Sequence, residues 1–289
     1  MKNGSYFVPR EQLHPFMNPG AMNNEEGLYL SWVTDPAAAR RVLPPLFDLP
    51  DPEHPIAMVY VVNIREPTFA PWYMEGGLCL LCRYREHVGV YFLNLQLSGP
   101  GAPMGLCSGR ETAGLPKKLC ERIVVERNGD WAGALIERKG RRLFSVEVEM
   151  GPYNDPAMEH MYRNHGPGYR DRGACLLFQY ECGAAPDGHV TFPRMRLVHY
   201  DSVTDYQSWE PACIKSLEME PSLDDPWAEI PVLKPLGAGY SVNSNWVAGI
   251  HTLAEFTGDE ADGLFSYLFA GRWDRSTLVT GRCQRYGQF

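Results

Sequence analysis

The side chains best placed to do chemistry are two adjacent lysines, Lys117 and Lys118, in the stretch Gly109-Arg110-Glu111-Thr112-Ala113-Gly114-Leu115-Pro116-Lys117-Lys118-Leu119. An amine is a nucleophile only when neutral, and removal from water or a second positive charge close by favours that form. The residues ahead of the pair are suited to aiming it. Gly114 admits backbone conformations closed to other residues; Pro116 fixes its own dihedral and pushes Leu115 towards extended geometry. If the chain from Pro116 to Leu119 is extended, the two amines point to opposite faces and only one enters a given pocket. Desolvation then supplies most of the activation of the inward lysine, with its neighbour's charge a smaller contribution. The dipeptide alone would equally describe a solvated surface pair.

The same stretch resembles the G-R-E-x-x-G-x-P-K-K signature of the acetoacetate decarboxylase family, a standard example of an activated lysine, so that logic is inherited by resemblance. Tyr73-Met74-Glu75-Gly76-Gly77 is similar to the family's Y-x-E-x-G element, and Thr34-Asp35 with 37–45 to its amino-terminal helix. Val203-Thr204-Asp205, Trp209-Glu210-Pro211, Asp225-Pro226 and Ile230-Pro231-Val232 continue the likeness, which runs in order over roughly residues 28 to 250. The resemblance implies a mainly β fold with a few helices, closed into a barrel or cone, and assembly into homo-oligomers. It implies imine chemistry on a small keto acid or other carbonyl substrate, with no metal or organic cofactor required. Lys117 matches the imine-forming lysine by position, Glu75 the glutamate that donates a proton or positions a carboxylate, and Lys118 the neighbouring cation. Leu95, Leu115, Arg110, Glu111 and Tyr240 are the candidate substrate-binding residues. An internal ion pair is the simpler role for Arg110 and Glu111, and a core or rim position for Tyr240.

The simplest activity of such a site is decarboxylation of acetoacetate or a related β-keto acid. Two positions depart from the family pattern. The arginine expected before the first strand falls near Glu25, and the tyrosine before Pro-Lys-Lys is Leu115. A carboxylate is held best by an arginine fork and repelled by a glutamate, so both departures point away from acetoacetate itself. An aldolase, dehydratase or hydratase using the same imine is the alternative within the superfamily; a non-catalytic barrel that binds a small ligand is the alternative outside it.

The elements that must position these residues read mainly as strands. Residues 1–27, rich in Pro, Asn and Gly, read as an irregular arm, with 28–289 a single domain. Strands are predicted at 28–33, 56–64, 78–85 and 90–97. Asp35-Pro36 starts a helix that Pro44-Pro45 ends. A meander follows the lysines at 121–127, 131–138 and 141–150, turning at Asn128-Gly129 and Lys139-Gly140. Residues 151–173 read as a polar loop in which His160 and His165 are solvent-exposed. Strands at 174–182, 189–203 and 232–243 come next, then 246–256 as helix or strand, a helix at 259–270, and no clear period over 271–289.

Composition narrows the class. The formal net charge of −8, with no basic cluster longer than Arg141-Arg142, argues against nucleic acid or an anionic membrane as partner. No run of about 18 apolar residues predicts a membrane span, and Met1-Lys2-Asn3-Gly4-Ser5 has no leader character. The eight cysteines are too sparse for a disulfide scaffold. Cys79-Leu80-Leu81-Cys82 has zinc-ligand spacing but sits in an apolar run with no second pair, so buried free thiols and a reducing, cytoplasmic setting are expected.

Overall fold

The computed structural model describes residues 6–17 and 20–279. Its strands are β1 (Ala21–Val33), β2 (Ile56–Pro67), β3 (Tyr73–Tyr84), β4 (His87–Ser98), β5 (Lys117–Leu119), β6 (Arg122–Asn128) and β7 (Trp131–Arg138). These are followed by β8 (Arg141–Met150), β9 (Arg170–Tyr180), β10 (Gly183–Ala184), β11 (Val190–Thr191), β12 (Arg194–Glu218) and β13 (Lys234–Thr257). Strands β13, β1, β2, β3, β4, β9 and β12 follow one another round a ring, which the long β12–β13 pairing closes. The weakest seam is between β4 and β9, parallel and joined through Val90 and Cys175. Beyond Ala212, β12 leaves the ring to pair with β8, from which β7 and β6 extend as a wing. Closure and the wing leave the barrel wall few unpaired strand edges.

The predicted β-rich barrel is therefore what the chain forms, and both faces of its wall are covered. Inside, Val62, Ile64, Tyr73, Phe92, Leu95, Leu177 and Val198 pack together. Outside, Leu28, Leu30, Trp32, Leu78 and Leu80 meet the wing through Ile136, Phe144 and Val146. That outer layer also takes in helix α1 (Pro36–Val42), through Ala39, and helix α2 (Asp259–Arg272), through Leu264 and Leu268. A strand buried on both sides needs apolar residues at nearly every position, which is why Gly76–Leu80 is buried without alternation. The Asp35 carboxylate accepts the Ala38 N–H at 2.7 Å, capping α1 as its sequence predicts.

Several boundaries differ from the sequence reading. The irregular arm is shorter than 27 residues: Arg10–Met17 is helical and β1 starts at Ala21. Polar Asn23, Asn24, Glu25 and Glu26 hide that strand, because β1 there lies between β2 and β13 and draws its stability from two ladders rather than from apolar side chains. Residues 151–173 contain the short helix Ala157–Tyr162 and the first turns of β9. The strand predicted at 189–203 is interrupted after Thr191 and then runs on to Glu218, and 246–256 is strand, part of β13. Met1–Ser5 and Cys283 lie outside the described residues. Among those described, no helix is long and apolar enough to cross a membrane.

The segment that delivers the lysines is the most constrained. Ala102–Ser108 is a helix that widens into a π-turn over Gly109–Ala113 and stops at Gly114, whose φ is +74°. A Cβ at Gly114 would strike the Phe178 carbonyl. Gly114→Ala therefore combines left-handed strain with a backbone clash and is expected to destabilise the fold by about 2 kcal/mol. The urea midpoint checks it; an unchanged midpoint would remove the turn from the account.

Candidate active site

Three residues of β5 suffice to separate the two amines. Lys117 and Lys118 are each only 4% exposed, so neither is a solvated surface lysine. Extended backbone sends them to opposite faces, as their sequence predicts. Lys117 Nζ donates to Glu75 Oε2 at 2.7 Å inside the barrel. The Tyr60 hydroxyl donates to the other oxygen of Glu75 at 2.5 Å, so both carboxylate oxygens are engaged. Gly77 keeps the neighbourhood open: a Cβ there would fall 3.0 Å from the Tyr60 ring. Gly109 does the same for Lys117, since a Cβ there would lie 2.8 Å from its Cε.

Lys117 and Glu75 open onto a cavity of about 250 Å³. Its walls are largely aromatic and apolar, with Phe69, Tyr73, Phe92, Leu115, Tyr200, Val247 and Ile250. Polar groups enter from alternate positions of β12, namely Tyr200, Ser202, Thr204 and Tyr206. Lys117 is the one cationic side chain among the described lining residues; no arginine faces in.

A second carboxyl group does face in. Glu25, 7% exposed, accepts a hydrogen bond from the Tyr29 hydroxyl, which in turn accepts one from Asn243 Nδ2 at 2.9 Å. Tyr29 stacks against Tyr60 with ring centroids 6.0 Å apart, bringing the two acid–phenol pairs side by side. Desolvation lifts the Glu25 carboxyl from 4.5 to about 7, with the Glu75 charge acting in the same direction, while the Tyr29 hydrogen bond and Lys117 oppose it. Burial likewise holds the Tyr29 and Tyr60 hydroxyls well above the ordinary phenol range, so both remain donors.

Apart from Leu115, the other predicted residues lie elsewhere. Lys118 meets Asp225 at 3.1 Å and Asp274 at 3.2 Å on the opposite face, and donates to the Asp224 carbonyl. Arg138 and Lys139 complete a network of three cations and three carboxylates. Although burial works to raise it, hydrogen bonds from Arg138 and Lys139 hold the Asp274 carboxyl well below the usual range. The role this geometry gives Lys118 is fastening β5. Of the candidate substrate-binding residues, Leu115 lines the cavity, while Leu95 is packed in the wall behind Gly77. Tyr240 is outside the cavity, donating to Glu26 at 2.7 Å with the Arg127 guanidinium over its ring. Arg110 lies over Trp273 and donates to the Arg272 carbonyl, Glu111 is exposed, and the expected ion pair between them is not formed. His165, expected in solvent, is instead half-buried among Tyr162, Tyr169, Tyr206 and Trp209, and desolvation lowers its pKa.

Sequence reasoning missed Glu25, Tyr29 and Tyr60 as a set. The available signal was alternation, since Glu25, Gly27 and Tyr29 share a face and Tyr60 sits opposite Tyr29 in the ladder. Cys79 and Cys82 are buried free thiols, and burial pushes Cys82 up to about 12. Among the described residues no three His, Cys, Asp or Glu side chains gather as a metal site.

A model of the acetoacetate decarboxylase (ADC) family matches residues 6–255. The chain belongs to that family. It is 33% identical over 276 residues to a CLA biosynthesis isomerase of Lactiplantibacillus plantarum, covering 94% of this chain and 95% of that one. It is similar in structure to an acetoacetate decarboxylase of Legionella pneumophila, with a TM-score of 0.67, 16% identity, and 83% and 88% of the two chains covered. The enduracididine biosynthesis enzyme MppR complexed with pyruvate gives a TM-score of 0.58 at 16% identity, covering 82% and 91%. The two structural likenesses speak to fold. The decarboxylase family thus includes a relative named for isomerisation.

The buried carboxyl group has a consequence for stability. Between pH 4.5, its ordinary value, and about 7, the folded protein keeps a proton on Glu25 that the unfolded chain has lost. Wild-type stability therefore falls as pH rises through that window and levels off above it. Tyr29, Tyr60, Glu75, Lys117 and Tyr206 surround the group and are retained in a Glu25→Gln variant, which lacks the titration. Stability of that variant relative to wild type should rise across the window by on the order of 3 kcal/mol. Urea unfolding at a series of pH values reads it, and two parallel curves would mean that Glu25 titrates normally.

Proposed function

We propose that the chain is an imine-forming enzyme that shifts a carbon–carbon double bond, converting a β,γ-unsaturated ketone into its conjugated isomer. The observation that carries this reading is the Lys117–Glu75 pair buried in an aromatic-walled cavity with two carboxyl groups and no guanidinium. A substrate carboxylate beside the reacting carbon would face Glu25 and Glu75 with no arginine to hold it, whereas a neutral hydrocarbon chain suits the walls. The 33%-identical isomerase supports the same direction.

The steps follow from charge. Lys117 passes a proton to its partner Glu75 and the freed amine adds to the ketone carbon. The carbonyl oxygen then leaves as water, taking one proton from the amine and the one back from Glu75, which gives a cationic imine beside the Glu75 carboxylate. That cation withdraws electrons from the α-carbon, whose proton passes to the Glu75 carboxylate. The electron pair spreads over a dienamine, a proton is added at the γ-carbon, and hydrolysis frees the conjugated ketone and the amine. A β-keto acid decarboxylase would use the same imine but lose carbon dioxide where this reaction loses a proton. Family membership keeps that second reading open to test, and supports assembly into a homo-oligomer. The free thiols among the described residues support a reducing, cytoplasmic setting.

Borohydride reduction in the presence of a β,γ-unsaturated methyl ketone with a pentyl tail is expected to leave the ketone's carbon skeleton on Lys117, located by peptide mass mapping. Without the reductant, the conjugated product should accumulate. Lys117→Arg should abolish both while leaving the unfolding free energy from urea titration within about 1 kcal/mol of wild type. No adduct, or an adduct on Lys118, would falsify the imine. Carbon dioxide released from acetoacetate faster than conjugated ketone is formed would replace the isomerase with the decarboxylase.

A further inference from the structure

A double-bond shift needs two proton transfers at carbons two apart, and Glu75 is poorly placed to make both. Its oxygens are already engaged by Lys117 and Tyr60, which hold it beside the imine nitrogen and so beside the α-carbon. The γ-carbon lies further along the cavity. The carboxyl group facing that space is Glu25, on the next strand but one around the ring.

The backbone is deformed immediately beside it. Met22 and Glu25 both line the cavity although they are three residues apart, which a regular strand forbids. Glu25 shares its face with Gly27 and Tyr29 by regular alternation, and a register shift in the pairing with β13, with Asn24 at φ +50°, brings Met22 onto the same face. Asn24 is held in that left-handed conformation by hydrogen bonds from Nδ2 to Glu66 at 2.7 Å and from its N–H to Ser244 Oγ at 3.4 Å. Bulges of this kind re-aim side chains beside active sites. Tyr29 holds one Glu25 oxygen, and no other hydrogen bond to the Glu25 carboxyl group occurs among the described residues. The second oxygen is left to the cavity.

We infer that Glu25 is a second catalytic group, the acid that delivers a proton to the γ-carbon after Glu75 has taken one from the α-carbon; this rests on the imine-isomerase reading above. The dienamine's electron pair forms the new C–H bond at the γ-carbon as the Glu25 O–H bond breaks, and the conjugated imine cation is regenerated. Water then releases the ketone from Lys117. Glu75 is left protonated and Glu25 ionised, so the pair's total charge is unchanged, and solvent entering the open cavity returns the proton between turnovers. Burial raises the Glu25 carboxyl to about 7, so it keeps a proton where an ordinary carboxylate has lost it, as a proton donor requires.

The two transfers separate experimentally. A saturated methyl ketone of the same length cannot isomerise but exchanges its α-hydrogens for deuterium through Lys117 and Glu75 alone. In Glu25→Gln, isomerisation of the unsaturated ketone should fall about 100-fold or more, while borohydride labelling of Lys117 and deuterium exchange into the saturated ketone stay within about threefold of wild type. Glu25→Asp should recover part of the lost rate. Wild-type isomerisation in Glu25→Gln overturns the inference, and so does loss of exchange together with isomerisation, which would make Glu25 the α-base or a structural group. If the wild-type protein forms no imine at all, the isomerase reading fails and this role with it, an outcome distinct from a failure in the variant alone.

Discussion

An amine and a carboxylate buried side by side are the constraint on which the rest of this barrel depends. Each ion loses several kcal/mol of hydration on entering the interior, and only close geometry with further hydrogen bonds returns it. Lys117 and Glu75 meet that condition at 2.7 Å, with the Tyr60 hydroxyl on the second oxygen. A small displacement of either strand would leave an unpaired charge in a nonpolar wall. The scaffold is correspondingly stiff where the pair is made. The Leu95 N–H bonds the Pro116 carbonyl, Asn94 reaches the same oxygen, and the buried Arg272 guanidinium donates to the Gly114 carbonyl.

Lys118 gives this stiffness its electrostatic half. A strand of three residues has too few ladder bonds to resist the pull of its own buried charges. Its second lysine is tied on the outer face to Asp225 and Asp274, which Arg138 and Lys139 bind in turn. The two neighbouring lysines thus have complementary tasks set by the alternation of a strand. One is held so that the other can be aimed. Helix α2 closes over the same segment, with Gly271 allowing contact against Pro116 and the Leu93 carbonyl.

How much of this was legible in the sequence depended on whether the information was local. The Gly114-Leu115-Pro116 turn, the opposite facing of Lys117 and Lys118, the cap at Asp35 and the meander after the lysines are encoded by adjacent residues, and the structure has them. The partners of Lys118 come from 106, 107 and 156 residues further along, so no spacing in the sequence announced them. Strand β1 was hidden at its start because two flanking ladders hold its polar residues, of which Glu25 alone faces the cavity. Glu25 was noticed as an oddity against the family pattern, but its inward aim follows from alternation with Gly27 and Tyr29 only once β1 is known to begin ahead of it. Tyr240 drew attention through flexible neighbours, and the same flexibility serves the packing of Trp209 against Gly239 instead.

The charge pattern of the cavity decides what an imine here can do. An imine cation accepts electrons from whichever bond at the neighbouring carbon is cleaved, and the surrounding side chains select which group leaves. Expelling carbon dioxide requires a substrate carboxylate to be held first, and a guanidinium is the group that holds one in an apolar site. Removing a proton requires an acceptor, and returning it elsewhere requires a donor. This cavity offers one cation, already committed to Glu75, and two carboxyl groups whose phenol partners stack on each other. On the isomerase proposal, a glutamate near the position where the family pattern has an arginine lets a proton leave where a decarboxylase would lose carbon dioxide, because the amine and its electron-withdrawing imine are common to both reactions.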